Sequence, residues 1–217
     1  MRQASPGKLT HGRRCEWDTT GVLVDEAASR GPLGLRSLFG NGRPVELEIG
    51  TGKGTFLLAR AAARPQLNFL GLEYARSYCV YAADRIRRAG LTNVRIVCGE
   101  AAHFVRVCLL DRCLWRVHIY FPDPWPKHRH HRRRLVQPAF VKQLQAKLRV
   151  GGQLLIVTDN LAYAAQIAAV LNNLPGFAVV PFPRMADSSG ELVGTNFERK
   201  YISQGRAFYP VAVMQYR

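Results

Sequence analysis

The sequence of 217 residues contains few acidic residues, few cysteines and no long apolar run. Only 15 residues are Asp or Glu, against 31 that are Lys or Arg, so the formal net charge is +16. Such an excess of positive charge indicates a polyanionic partner, either a nucleic acid or an anionic membrane surface. No segment approaches the roughly 18 apolar residues of a membrane span, and the N-terminus has no signal-peptide core. We therefore expect a soluble, cytoplasmic protein.

The cysteine content argues against two further kinds of protein. The five cysteines are odd in number, include no C-x-x-C pair and lie mostly in apolar surroundings, at positions 15, 79, 98, 108 and 113. This pattern predicts buried thiols in a reducing compartment rather than a disulfide framework or a zinc site. His128, His130 and His131 have no Cys or acidic residue nearby at metal-ligand spacing, so we expect no bound metal.

From Pro44 onward, short apolar segments alternate with segments at helical spacing. This alternation predicts parallel β-α-β units, and therefore an α/β fold with a mostly parallel, doubly wound sheet. The predicted strands span 45–49, 68–72, 94–98, 117–121 and 153–158, and the predicted helices span 55–63, 75–89, 101–110, 137–148 and 161–171.

The two ends of the chain depart from this alternation. Segments 177–181 and 207–216 are predicted as strands without a helix between them, which requires an antiparallel final pair, and Pro210 indicates an edge or a bulge. Residues 1–43 are rich in Gly, Arg and Ser and show little periodicity. We expect a basic N-terminal arm, poorly ordered or peripheral, followed by one domain over 44–217. Four basic residues of this arm are available for phosphates: Arg2, Lys8, Arg13 and Arg14.

An acidic residue framed by prolines lies beside a long basic run. The segment Phe121-Pro122-Asp123-Pro124-Trp125-Pro126 follows an apolar strand and leads into eight consecutive Lys, Arg or His residues, 127–134. Proline fixes its own φ and biases the preceding residue towards extended geometry, so Asp123 is held in one direction. A positioned acid beside a basic run indicates chemistry on a polyanion; an ordinary Pro-rich loop with a solvated charge run is the alternative. Trp125 either stacks on a target base or packs against the sheet.

A glycine-rich turn, Gly50-Thr51-Gly52-Lys53-Gly54, follows the first predicted strand. Doubly wound sheets bind ligands at the carboxyl ends of their strands, and glycines let the backbone approach a ligand closely. Glu73, nineteen residues beyond the turn, is spaced to accept hydrogen bonds from ribose hydroxyls. Glu48, two residues before the turn, repels pyrophosphate but suits a cationic group, which favours S-adenosyl-L-methionine over NAD. A tight turn without a ligand is the alternative, and Glu100 either caps the next helix or contacts adenine.

Together these segments resemble the bacterial tRNA (guanine-N7-)-methyltransferases. The resemblance runs from Val45 to the C-terminus and rests on Leu47–Gly54, Phe69–Glu73, Phe121–Lys127 with Arg129-His130, Thr158-Asp159-Asn160 and Thr195–Lys200. Many methyltransferases share the first two segments, whereas the proline-framed acid and the late Thr-x-x-Glu are specific to this family. The resemblance implies a Rossmann-like class I S-adenosylmethionine-dependent methyltransferase fold with an antiparallel last strand. It also implies an enzyme that methylates N7 of a variable-loop guanine, position 46, in tRNA.

The resemblance implies roles for single residues. Cofactor contacts are expected at Glu48, Gly50, Gly52, Gly54, Glu73, Glu100 and Asp123, and Asp123 is also expected to be catalytic. Guanine or tRNA contacts are expected at Lys127, Asp159, Thr195 and Glu198, and RNA-backbone contacts at Arg129, Arg132, Arg133 and Arg134. Glu100 stands where the family usually has Asp, which displaces an adenine contact by one methylene. Residues 1–43 do not match the family's usual N-terminal pattern.

Methylation of guanine N7 requires no deprotonation, because N7 carries a free lone pair. The enzyme must align that lone pair with the sulfonium methyl, and carboxylates accepting from the guanine N1–H and amino group stabilise the developing positive charge. Asp123 and Asp159 are the candidates for holding the base. Asp159 also fits a cap for the helix near Leu161, and Thr195 with Glu198 also fits a helix-capping pair.

Two other functions are compatible with the sequence: another S-adenosylmethionine-dependent RNA or protein methyltransferase, and a non-catalytic RNA-binding module on the same fold. The acids Glu48, Glu73, Asp123 and Asp159 argue against the second, because a module that only binds RNA has no use for them. We expect tRNA as the partner. Whether the protein is a monomer or a homodimer is left open.

Overall fold

The computed structural model describes residues 17–25, 31–186 and 190–217, which contain one seven-stranded sheet with flanking helices. The strands are β1 (Val45–Ile49), β2 (Asn68–Glu73), β3 (Val94–Cys98), β4 (Leu114–Tyr120), β5 (Leu148–Thr158), β6 (Phe177–Val180) and β7 (Tyr209–Gln215). The helices are α1 (Leu35–Phe39), α2 (Thr55–Ala63), α3 (Arg76–Arg88), α4 (Ala101–Val107), α5 (Pro138–Lys147), α6 (Leu161–Asn172) and α7 (Asn196–Ile202), and a 3₁₀ helix (His128–Arg133) precedes α5.

The strand order is β3-β2-β1-β4-β5-β7-β6. Strands β1 to β5 pair in parallel, whereas β7 runs antiparallel to both β5 and β6. The predicted fold class, a mostly parallel doubly wound sheet with an antiparallel last strand, is confirmed. The order reverses between β1 and β4, and sheets of this class bind ligands outside the carboxyl ends of the strands at such a reversal.

The central strands are apolar on both faces because helices cover both sides of the sheet. All five residues of β1 are buried, and two apolar clusters fill the layers between sheet and helices. Gly71 in β2 shows how closely α2 approaches the sheet. A Cβ atom at this position would lie 2.6 Å from side-chain atoms of Thr51, Leu57 and Ile96. The glycine therefore allows α2 to pack directly onto the sheet and fixes where the turn before α2 lies.

The C-terminal part differs from the prediction in one element. Helix α7 lies between β6 and β7, where the sequence predicted no helix. Thr195 begins this helix, because its hydroxyl accepts a hydrogen bond from the Glu198 N–H (3.0 Å). Pro210 lies in β7, which is an interior strand rather than an edge. However, β6 ends opposite Ala212, so at Pro210 the strand has a neighbour on one side only.

The described parts of the N-terminal segment pack onto the domain. Val22 is 3% exposed, and the Val24 N–H donates to the carbonyl of Ile96 in β3 (2.8 Å). Helix α1 buries two apolar side chains in the core. These parts therefore do not form the peripheral arm that the sequence predicted. The predicted phosphate contacts of that arm, at Arg2, Lys8, Arg13 and Arg14, lie outside the described residues.

Among the described residues, no helix is long and apolar enough to cross a membrane. Within the same ranges, no cluster of three or more His, Cys, Asp or Glu side chains could hold a metal ion. The cysteines described there form no disulfide; Cys79 and Cys108 are buried, and Cys98 and Cys113 are half-buried. Cys15 lies outside the described residues.

Candidate active site

The predicted glycine turn lies outside the carboxyl end of β1, where the strand order reverses. Gly50, Gly52 and Gly54 have φ values of 85°, 51° and 70°, which favour glycine over every other residue. The Gly50 N–H donates to the Leu72 carbonyl (2.7 Å), and the Gly52 N–H donates to Glu73 Oε2 (2.8 Å). The turn is thus fastened to the end of β2 by a backbone and a side-chain hydrogen bond.

Glu73 shapes the turn and retains acceptor capacity. Its second oxygen, Oε1, accepts from the Ala75 N–H (2.9 Å). Each carboxylate oxygen has two lone pairs, so one acceptor position remains on each oxygen. The half-buried Glu73 therefore retains acceptor positions for its predicted ribose contacts, which stay a prediction.

Glu48 is buried beside the same turn and lacks a partner. The residue is 4% exposed, and its Oε2 has no hydrogen-bond partner among the described residues. Burial raises the pKa of Glu48 well above its usual range, and the charge of Glu73 adds to the shift. The Thr51 hydroxyl oxygen is likewise buried without a partner. Buried polar atoms are normally hydrogen-bonded, so an open acceptor beside a glycine turn indicates a site for a donor group of a ligand.

Glu100 caps a helix, as the first of its two predicted roles required. Its carboxylate accepts from the N–H groups of Ala102 (2.8 Å) and His103 (2.7 Å) at the start of α4. A carboxylate at this position also complements the positive end of the helix dipole. The second predicted role, a contact with adenine, stays a prediction.

The loop that carries Asp123 has an unusual backbone. Phe121 and Trp125, on either side of Pro122-Asp123-Pro124, have φ values of 51° and 44°. Bulky residues rarely adopt positive φ, and each such residue costs of the order of 1–3 kcal/mol. The surroundings impose this conformation: the Phe121 N–H donates to the carbonyl of Val157 in β5 (2.7 Å), and the Phe121 ring packs against two aromatic rings of the C-terminal segment.

Arg134 holds the far side of this loop. It is 3% exposed, and its Nε donates to the Pro124 carbonyl (2.7 Å) while a terminal nitrogen donates to Gln166 (2.7 Å). Its guanidinium lies 4.8 Å from the ring centre of Tyr163. These contacts argue against the predicted phosphate contact at Arg134, because its donors are used inside the protein. Asp123 is exposed, and no described residue forms a hydrogen bond or an ion pair with it.

The rest of the basic run forms a 3₁₀ helix with no buried residue. Four side chains that were predicted to contact tRNA are exposed here. They are Lys127, directly before the 3₁₀ helix, and Arg129, Arg132 and Arg133 within it. The Trp125 ring stacks on His130 (5.8 Å, 25°), and the Arg133 guanidinium lies over Trp125 at 5.0 Å. Trp125 is thus part of the basic surface. The ring contacts described here are with His130 and Arg133, not with the sheet.

Asp159 follows β5 and faces the C-terminal segment. Its Oδ2 accepts from the Arg206 guanidinium (2.6 Å), and its side chain is 12% exposed. The helix cap considered for Asp159 is supplied by Asn160 instead, which accepts from the Tyr163 N–H (2.8 Å). Burial raises the pKa of the Tyr201 phenol, and the negative charges of Asp159 and Asp123 add to this shift. Both predicted base-binding carboxylates are therefore near one tyrosine.

Thr195 and Glu198 form the helix-capping pair that was considered for them. Glu198 is 1% exposed, and its carboxylate accepts from the backbone N–H groups of Val193 (2.9 Å), Gly194 (2.6 Å) and Leu192 (2.5 Å). With three donors already bound, this carboxylate holds the loop before α7, which argues against a direct guanine contact at Glu198. Thr195 is 8% exposed, and its hydroxyl accepts the hydrogen bond that caps α7.

Residues 42–211 match a protein family described as putative methyltransferase. A tRNA (guanine-N(7)-)-methyltransferase of Alcanivorax borkumensis is 40% identical over 82% of this chain and 74% of its own length. A tRNA (guanine-N(7)-)-methyltransferase of Alkalilimnicola ehrlichii is 36% identical over 94% of this chain and 86% of its own length. The chain belongs to the bacterial tRNA (guanine-N7-)-methyltransferase family.

The solved structures that share the fold of this family member are less similar to it in sequence than the relatives above. The 16S rRNA methyltransferase KamB has a TM-score of 0.59 at 16% identity and covers 83% of this chain and 91% of its own. A SAM-dependent methyltransferase from Aquifex aeolicus has a TM-score of 0.55 at 15% identity, covering 83% and 87%. At these identities the similarity shows the Rossmann-like methyltransferase fold alone.

A buried polar network of this family member was not predicted from the sequence. The Glu46 carboxylate lies 2.9 Å from His118 Nε2, and His118 Nδ1 lies 2.7 Å from the Tyr120 hydroxyl. Two arginines, Arg60 (3.5 Å) and Arg116 (3.2 Å), also contact Glu46. Burial alone would raise the pKa of Glu46, but His118 and the arginines outweigh it and lower the pKa to about 2. The only sequence signal was the spacing, because residues two apart on a strand share a face.

Proposed function

We propose that this protein transfers the methyl group of S-adenosyl-L-methionine to N7 of the variable-loop guanine, position 46, in tRNA. One observation carries the proposal: three features lie together where the strand order reverses. These are the glycine turn with its unpartnered buried acid, the loop with a free carboxylate, and the exposed basic 3₁₀ helix. Family membership supports the same reaction.

The residues of the turn fit the cofactor. Glu48 presents an open buried acceptor, which suits the ammonium group of S-adenosyl-L-methionine, and Glu73 retains acceptors for ribose hydroxyls. Three glycines with positive φ leave the backbone of the turn without side chains in the way. When bound, S-adenosyl-L-methionine supplies an electrophilic methyl group. The protein's own contribution is to hold the cofactor's polar ends and to orient the base that attacks.

Asp123 is the residue best placed to orient that base. Its carboxylate is not paired with any described side chain, and its loop is held by hydrogen bonds to Val157 and Arg134. A carboxylate accepting from the guanine N1–H and 2-amino group gains strength as positive charge develops on the ring, which stabilises the transition state more than the ground state. Asp159 assists while paired with Arg206, and Glu198 acts indirectly by holding the loop before α7.

The exposed basic side chains bind the tRNA backbone in this proposal. Replacement of Arg132 and Arg133 by Ala is expected to weaken tRNA binding and to lower the slope of log affinity against log salt by roughly one per lost phosphate contact. Binding titrations at several salt concentrations measure both effects. Because neither residue contacts the glycine turn, cofactor affinity should stay the same.

A matched control removes the same charge elsewhere. Arg36 and Arg149 line a cavity at the amino-terminal ends of the strands, together with Val45 at the start of β1. Their double replacement by Ala should leave the salt slope near the wild-type value. Equal slopes for both double variants and the wild type would show that the basic 3₁₀ helix is only a solvated surface.

Incubation with labelled S-adenosyl-L-methionine and tRNA, followed by nucleoside analysis, tests the reaction itself. The expected product is 7-methylguanosine, formed on a tRNA transcript with guanine at position 46 and absent from a transcript with adenine there. Label in a different nucleoside, or in protein, would replace the proposed reaction with another methyl transfer. Tight tRNA binding without any product would leave an RNA-binding module.

A further inference from the structure

The network of Glu46, His118 and Tyr120 has a defined direction of hydrogen bonding. Glu46 and His118 are 0% exposed, and Glu46 is ion-paired with two arginines, so its carboxylate is ionised and can only accept. The His118 Nε2, 2.9 Å away, must therefore carry the proton. Burial lowers the pKa of His118, which keeps the imidazole neutral and leaves Nδ1 as an acceptor.

The same direction of hydrogen-bond donation fixes the proton of Tyr120. Since His118 Nδ1 accepts, the Tyr120 hydroxyl must donate its only proton across the 2.7 Å contact. The phenolic oxygen then has lone pairs and no proton left to give. Phe56 of α2 packs on both rings, with centroids 4.8 Å from His118 and 5.1 Å from Tyr120, and so holds them in this arrangement.

The partnerless acid of the glycine turn lies on the same face of the sheet. Glu48 is in register with His118 on the neighbouring parallel strand, and Tyr120 lies two residues further along that strand. Residues in register on neighbouring strands, and residues two apart on one strand, project to the same face of a sheet, so these three side chains share a face. Glu48 and Tyr120 keep small exposed fractions, 4% and 7%. Glu48 Oε2 has no hydrogen-bond partner among the described residues, so both side chains have oxygen lone pairs that are open to a ligand.

The geometry points to Tyr120 as a further cofactor-binding residue, whose phenolic oxygen accepts, together with Glu48, from the ammonium group of S-adenosyl-L-methionine. This inference rests on the proposed function. A cation with several N–H bonds suits this pair best, because it favours the ionised form of Glu48 and donates both to that carboxylate and to the phenolic oxygen. Glu46 and His118 are positioning residues: they turn the Tyr120 proton away from the ligand.

The test compares two ligands by calorimetry on the wild type and on Tyr120→Phe. S-adenosylhomocysteine carries the ammonium group, whereas 5′-methylthioadenosine has the same adenosine part and no amino acid. The loss of one hydrogen bond to a charged group is expected to weaken S-adenosylhomocysteine binding about 10-fold or more in the variant. Methylthioadenosine affinity should stay within about two-fold of the wild-type value, because its contacts do not involve Tyr120.

The outcomes separate the inference from the proposed function. Wild-type protein that binds neither ligand would overturn the proposed function. Normal wild-type binding with equal losses for both ligands, or no loss, in the variant would overturn only the role of Tyr120. A measurement without substitution checks the proton order: in ¹⁵N spectra of labelled histidine, His118 should show a protonated Nε2 and a bare Nδ1. A proton on Nδ1 would refute the inference even if Tyr120→Phe did not fold.

Discussion

Replacement of Asp123 by Asn is expected to lower the turnover of tRNA methylation about 10²- to 10³-fold. The amide keeps the shape of the side chain but removes its charge and places a donor against a guanine edge that itself donates. Because no described residue bonds to the Asp123 carboxylate, the change breaks no internal contact, and stability should change by no more than about 0.5 kcal/mol. Single-turnover kinetics and thermal unfolding measure these two quantities.

The matched control is Asp111→Asn. Asp111 is a highly exposed acid whose only described ion pair is with Lys147. It lies in the connection before β4, at the amino-terminal ends of the strands, whereas the glycine turn lies at their carboxyl ends. The same chemical change there should leave turnover unaffected. Near-normal turnover of Asp123→Asn would show that the Asp123 carboxylate does not act in the reaction, and Asp159 would become the leading candidate for holding the base.

Replacement of Glu48 by Gln is expected to weaken S-adenosyl-L-methionine binding at least about 30-fold, because removal of one partner of a buried charge pair costs roughly 2–5 kcal/mol. The same change should stabilise the ligand-free protein. Glu48 has a raised pKa in the folded state, since burial disfavours its charged form and Glu73 repels it. The variant has no ionisable carboxyl group at this position. Its loss of cofactor affinity and its gain in stability therefore have the same cause.

The sign of the pH dependence follows from that direction. As pH rises from the ordinary glutamate pKa to the raised folded value, the unfolded chain releases its proton while the folded protein keeps it, so the stability of the wild type falls. The advantage of Glu48→Gln should therefore grow over this window and then stay constant. Thermal unfolding across pH and calorimetry with the cofactor measure both effects. Unchanged cofactor affinity in the variant would exclude Glu48 from the site; Asp111→Asn, which alters an exposed acid with no proposed cofactor contact, serves as the control.

Local sequence patterns were sufficient for the fold class and for the place of the site. Strands β1 to β5 read as short apolar runs because each is buried between two layers of helices. Glycines 50, 52 and 54 were recognisable because a turn with positive φ is least costly for glycine, which has no Cβ atom. The missed helix α7 is short, and it is held by the side chains of Thr195 and Glu198 rather than by an apolar repeat. A search for periodicity could not find it.

By itself, the sequence determined which chemical groups this protein carries and in which order along the chain they follow the strands, because strand, turn and acid are neighbours in the chain. Only the tertiary structure decided which of those groups face a ligand. Arg133 is exposed while the adjacent Arg134 is buried against Pro124 and Gln166, and Glu198 is bound by loop amides while Glu48 is left open. The physical reason is that a polar side chain's availability depends on partners that folding brings from distant positions, and no local pattern records them.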